Sequence, residues 1–411
     1  MITKKIMRDL LLSETCPYIE IDPYGDMLIE VGGHFSAPLE GPTLLVSSRA
    51  LRRASPTLRR DLSQPKAKID NAYRLEFISR FRSLAVPTGR RCPEVKYFAV
   101  LPYEKPLTFT MMMRLVHGQH HRIPRHLTPE LISELVGIAK EHDLMRSLRG
   151  VSRRWLDSIA DNACAIHKAH VGEVKHMLHT AWYLGDERIF RESVDKLARE
   201  STVLDWPIGD LHDGAGASLS TFCSDDTRDM LDIYDHIEQY RLSRLVVLCR
   251  ACSFLMQDLT GTGPTTCKPG VDIYGNGAAS VATSGPQAPS DLTKLGALVK
   301  QVAAHELQEL FNPERPEDLP LPIHLWQLSL AEIEQRLRAI FFTDPLLHEY
   351  GNRVIAACKE ELRLVDGPVS QQHVDLLRKR ALVSFGKEDA SISNTQPWTG
   401  WGDELAKGIL D

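Results

Sequence analysis

Residues 46–62, VSSRALRRASPTLRRDL, constrain the fold of this chain more than any other stretch. An apolar strand end runs into two serines, then into an arginine-rich helical turn whose buried side Leu51 and Ala54 would supply. Ser55 stops that turn and starts another. Its hydroxyl can accept from the free amides of a first helical turn, and Pro56 at the first helical position gives up an N–H that would be unbonded in any case. The unit reads as a strand feeding two short, tightly turned helices.

The flanking sequence extends this reading. Met27 to Val31 is a strand after the turn-forming Asp22-Pro23-Tyr24-Gly25, and Thr43 to Val46 is its partner across the Gly/Pro-rich residues 32–42. Gln64 to Arg91 reads as an insertion with at most a short helix around residues 72–82. Tyr97 to Leu101 is a compact apolar strand stopped by Pro102, and Pro106 to His117 is a helix rich in Met and Leu. Thr128-Pro129-Glu130 is a further cap, N1 proline and first-turn acid, opening a helix with the stripe Leu131, Leu135, Ile138, His142. Leu144, Leu148, Val151 and Trp155 carry a second stripe.

Beyond this point the pattern is almost wholly helical. Helices are expected at Glu173 to Leu184, Glu187 to Glu200 and around Asp226 to Asp258. The last has the apolar line Tyr234, Ile237, Leu245, Leu248, Cys252, Leu255, interrupted near Arg241. Residues 261–289 have the composition of a flexible linker, and residues 313–322 form a proline-punctuated connector. Helices return at 291–311, 329–342, 345–364 and 370–385. The predicted division is therefore an N-terminal segment (1–15), an α+β domain (16–158), a helical domain (159–260), a linker (261–290), a helical C-terminal region (291–387) and a tail (388–411).

Composition narrows the functional classes. No apolar run approaches the roughly 20 residues a membrane helix requires. Lys4, Lys5 and Leu10 to Leu12 begin like a signal sequence, but Arg8 and Asp9 interrupt any apolar core. Eight scattered cysteines fit free thiols in a reducing compartment, so an intracellular site, cytoplasmic or nuclear, is expected. The net charge of −5 gives no global attraction to nucleic acid, and no direct nucleic-acid or membrane partner is expected. Arg52-Arg53, Arg59-Arg60 and Arg90-Arg91 read as a solvated surface or a small phosphate-binding patch.

Catalytic and cofactor motifs do not assemble. Gly214-Ala-Gly216 and Gly261-Thr-Gly263 lack the strand and helix that aim backbone amides at phosphate, and neither a Gly-x-Ser-x-Gly elbow nor a His-Glu-x-x-His helix occurs. Cys249 and Cys252 have a zinc-compatible spacing, with Cys223 and Cys267 as further ligands, but they fall in an apolar helix that suits buried thiols. His117 with His120, His167 with His170, and His176 with His179 share an i, i+3 spacing without a recurring acid or thiol partner. The expectation is no catalytic, cofactor or metal site.

Taken in order, the segments GDMLIEVGG (25–33), LLVSSRALRRASPTLRRDL (44–62), YFAVLPYEKPLTFTMMMRLVHGQ (97–119) and LTPELISELVGIAKEHDLMRSLRGVSRRWL (127–156) resemble a BTB/POZ domain, most closely the fungal BTB-domain proteins. The resemblance continues into HTAWYLGDERIFRESVDKLARES (179–201). It departs at Ser47-Ser48, where many animal members carry a histidine and a basic residue, although Asp26 matches the acidic half of their charged pocket. It departs again at the long insertion 64–91. The resemblance implies a small sheet with helical hairpins followed by a mostly helical region, and a non-catalytic protein that dimerises and recruits protein partners.

In adaptors of cullin-based ubiquitin ligases, an apolar residue, any residue and an acid precede the strand equivalent to Tyr97–Leu101. Cys92 and Glu94 stand there. With Tyr97, Leu131 and Leu135 they form the implied partner-binding set, while Ile6, Leu10, Leu11 and Asp26 form the implied homodimer set. Two alternatives stand beside the adaptor. One is a nuclear transcriptional co-regulator, suggested by the arginine pairs and by Arg378-Lys379-Arg380. The other is a metal-dependent enzyme built on Cys249, Cys252 and histidines.

Overall fold

A computed structural model describes residues 18–32, 42–63, 95–101, 105–161, 166, 168–202, 230, 232–260, 289–311, 325, 327–362 and 367–385. Among these, residues up to Ser193 together with those from Val374 onward form one compact unit, and Val194 to His373 form a second. The fold is mostly helical with a small mixed sheet near the N-terminus, which agrees with the α+β class.

The first unit is built on four strands, β1 (Tyr18–Glu20), β2 (Met27–Val31), β3 (Thr43–Val46) and β4 (Tyr97–Leu101), in the order β1-β3-β2-β4. β2 and β3 run antiparallel with Met27 opposite Val46, β4 lies parallel to β2, and β1 lies parallel to β3. Every residue of β2 and β3 is buried, Glu30 included, so both faces of the central sheet are covered. The turn before β2 requires glycine: a Cβ on Gly25 would lie 2.7 Å from the Val46 carbonyl oxygen.

Helix α1 (Ser48–Ala54) leaves β3 at once, and α2 (Pro56–Ser63) follows. The corner forms as its sequence demands. Ser55 Oγ accepts from Leu58 N–H at 2.9 Å and donates to the His142 carbonyl at 2.6 Å, so one fully buried hydroxyl caps α2 and ties it to a later helix. Leu51 is buried, while Ala54 is only half-buried. Helix α3 (Pro106–Val116) is buried nearly all round, with Met111, Met112 and Met113 filling the centre. The unit continues through α4 (Pro129–Glu141), α5 (Arg149–Asp161), α6 (Val171–Leu184) and the first half of α7 (Glu187–Glu200), whose residues from Val194 onward belong to the second unit. Trp155 and Trp182 are their largest fully buried side chains.

The second unit packs α8 (Ile233–Thr260), α9 (Pro289–Ala304), α10 (Leu330–Thr343) and α11 (His348–Leu362) around Leu245, Cys252, Leu298, Ile333, Ile340 and Phe341. The interruption read at Arg241 does not face water. Arg241 is only 1% exposed, and its guanidinium donates to the Leu328 carbonyl. Arg244 is equally buried, donates to the Tyr240 hydroxyl at 2.9 Å and pairs with the buried Glu334 at 3.7 Å.

The last described helix, α12 (Gln371–Phe385), belongs from Val374 onward to the first unit. Arg149 Nε of α5 donates to the Val383 carbonyl at 2.6 Å, and the Arg380 guanidinium lies over the rings of Trp182 (4.3 Å) and Tyr183 (4.8 Å) of α6. The C-terminal helix thus completes the core that the N-terminal sheet begins.

Candidate partner-binding surface

The corner between β2, α1 and β4 is organised by Asp26. Its carboxylate accepts from Ser48 N–H and from Ser48 Oγ–H, both at 2.8 Å, so it satisfies an open amide at the start of α1. Its carbonyl accepts from the Lys96 and Tyr97 amides at 2.8 and 3.1 Å, which fixes the entry of β4. Ser47 completes the cap by accepting from Ala50 N–H at 3.3 Å.

His117 closes the same corner from the end of α3. Ser47 N–H donates to His117 Nε2 at 3.0 Å, so Nε2 carries no proton; Nδ1–H then donates to the Met113 carbonyl at 2.7 Å. The ring is a neutral imidazole with both nitrogens committed. Burial pushes its pKa below the ordinary 6.5, against smaller raising effects from Met113 and Asp22.

A group that binds protons less readily folded than unfolded contributes stability that is complete above 6.5 and lost as the pH falls below it, through the lowered folded value. Urea unfolding of the wild type between about pH 7 and 5 should therefore show falling stability, and His117→Gln should flatten that slope. An identical slope in the variant would assign the pH dependence elsewhere, with His176, also lowered chiefly by burial, the next residue to replace.

Tyr97 is half-buried at the start of β4, and Arg52 of α1 stacks on its ring at 4.9 Å. This cation–π pair, Asp26 and exposed Lys96 make a small charged and aromatic surface. Leu131 and Leu135, expected on a partner-facing surface, are core residues of α4, 9% and 0% exposed. Their stripe packs inward, and the polar side of α4 is bonded within the chain: Glu134 pairs with Lys105 and accepts from Thr108 Oγ1 at 2.7 Å. Cys92, Glu94, Ile6, Leu10 and Leu11 lie outside the described residues.

Sequence reasoning missed His117 and Arg52 as members of this corner. Their signal was present only as adjacency: two serines after a strand need cap partners, and a histidine at a helix end is one of few side chains able to accept from such an amide.

The remaining motifs have internal partners. Cys249 and Cys252 are free thiols in the second unit's core, where burial, then the neighbouring Cys358 and Cys249, hold the Cys252 pKa well above its usual range. His179 is hydrogen-bonded to Ser133 Oγ at 3.0 Å. The run Arg378 to Arg380 is helical, with Arg380 covered by aromatic rings and Arg378 3.9 Å from Glu187. His167, Cys223 and Cys267 lie outside the described residues. Among the described residues no helix is long and apolar enough to cross a membrane.

No family model, curated protein or solved structure matches the chain.

Proposed function

We propose that this chain is a non-catalytic interaction protein whose first unit works as a BTB/POZ-like recruitment domain, in its sharpest form as a substrate adaptor of a cullin-based ubiquitin ligase. The observation that carries the reading is the order and pairing of elements: the antiparallel pair β2 and β3, α1, the Ser-Pro helix α2, β4 parallel to β2, then α3 and the succession α4 and α5. The corner of Asp26, Ser47 and Ser48 is where the chain departs from that family's charged pocket. There the chain replaces a histidine and basic residue with two serines, and a carboxylate that could have faced a second subunit is turned onto α1.

The partner surface in this reading lies beside Tyr97 and Arg52; residues 92–94, which the resemblance adds to it, lie outside the described residues. The test is affinity purification of the tagged full-length chain, with mass spectrometry, beside a version lacking residues 16–158. A cullin subunit recovered by the full chain and lost on deletion is the expected result. Recovery of the chain itself without a cullin would remove the adaptor form and leave a plain scaffold. Recovery of neither itself nor any partner would overturn the reading.

A further inference from the structure

A strongly cationic face in the first unit lies apart from the corner at Asp26. Between Lys105 and Pro129 the chain carries no acidic residue, and the connection from α3 to α4 exposes His120, His121, Arg122, Arg125 and His126. This connection runs along α5. The His120 ring lies against Gly150, where an added Cβ would come within 3.0 Å of it, and His126 Nδ1 is 3.0 Å from Ser158 Oγ.

Gly150, Arg154 and Ser158 are spaced by four and share one face of the helix, so Arg154 lies on that face between those two contacts. Its Nε and Nη2 are buried and have no hydrogen-bond partner among the described residues. Arg154 as a whole is only half-buried, so part of the residue stays open to solvent, and each unmet donor carries a desolvation cost that an incoming acceptor would relieve. The nearest acid along α5, Asp157, is engaged by Arg153 at 3.0 Å. Arg122 adds to the positive field: after burial itself, its charge is what lowers the pKa of the buried Arg114.

We propose that this face receives an acidic, carboxylate-rich peptide segment of a protein partner, whose side chains bridge Arg154 to Arg122 and Arg125. The inference rests on the interaction role proposed above and names the chemistry of one partner. Two observations favour a peptide over nucleic acid. The chain as a whole is acidic, whereas nucleic-acid binders concentrate net positive charge. The aromatic next to Arg154, Trp155, is fully buried and offers no stacking platform for bases.

The test is fluorescence anisotropy with the full-length protein. The probe is a labelled peptide of alternating glutamate and serine; its glutamine counterpart and an oligothymidylate of equal length are the comparisons. The acidic peptide should bind, weaken as salt rises, and lose about tenfold or more in affinity both in Arg122→Glu/Arg125→Glu and in Arg154→Met, each with a thermal melt to confirm folding. An acidic peptide that binds no better than the glutamine peptide would overturn the proposal, as would affinity unchanged in the charge-reversed variant or preferential binding of oligothymidylate. Failure here is separable from failure of the interaction role. If the charge-reversed variant recovers every partner that the wild type recovers from cells, only this inference falls.

Discussion

Replacing Gly185 by alanine should destabilise the first unit by about 3 kcal/mol or more, and lower its thermal midpoint by roughly 6–12 °C. Gly185 ends α6 with φ of +85°, a left-handed conformation that costs any L side chain about 1–2 kcal/mol. The larger effect is steric. A Cβ there would lie 2.2 Å from Ala381 N and 2.5 Å from the Leu377 carbonyl oxygen, both backbone atoms of α12 that no rotamer change can move. The helix would have to lift, taking Arg380 off Trp182 and Tyr183 and Val383 off Arg149. Differential scanning fluorimetry should show the lowered midpoint, and limited proteolysis should release the C-terminal helix early. A melt within about 2 °C of wild type would show that α12 does not depend on this close approach.

The same position marks the boundary of what the sequence makes legible. Strands β2, β3 and β4 coincide with their apolar runs, because short apolar stretches between Gly, Pro and polar turns have few other options. The Ser55-Pro56 corner is equally local: a hydroxyl, a proline and an open helix end lie within four residues. The strand β1 escaped notice because three residues are too short to show alternation. The return of α12 to the N-terminal core escaped for a different reason. Helical periodicity reveals that a face is apolar and nothing about which distant surface covers it; Gly185 and Ala381 are joined only by the fold.

The candidate surface shows the same limit from the other side. An apolar stripe at helical spacing is evidence of burial first, and Leu131 and Leu135 are spent on the core of their own unit. Asp26, which the resemblance implies at a dimer interface, caps α1 within its own chain, a role set by Ser48 twenty-two positions away. Polar residues near turns carry information about their neighbours in sequence; their partners across the fold need coordinates.

Arg244 and Glu334 bear this out most strongly and yield the second large effect. In sequence nothing distinguishes them from other charges on amphipathic helices. In the second unit both are less than one tenth exposed. Glu334 Oε2 accepts from Arg199 Nη2 at 3.3 Å, while Oε1 is 3.7 Å from Arg244 Nη2. One carboxylate thus offsets two guanidinium groups, one of them out of reach of water.

Glu334→Gln keeps the shape and removes the charge, taking from the buried Arg244 cation the carboxylate that lies 3.7 Å away. A cost of about 3–5 kcal/mol in urea unfolding is expected. Arg244→Met should cost less, since Arg199 still meets the Glu334 carboxylate when the Arg244 pair and the donor to the Tyr240 hydroxyl are lost. Joining Arg244→Met to Glu334→Leu removes both charges and fills the space with apolar volume, so the double variant should be more stable than Glu334→Gln alone. Desolvating an ion pair offsets most of its attraction, whereas orphaning one partner has no such compensation. If Glu334→Gln cost under about 1 kcal/mol, the pair would be behaving as a surface ion pair, and the buried charges would have to be satisfied by water or by movement of α10.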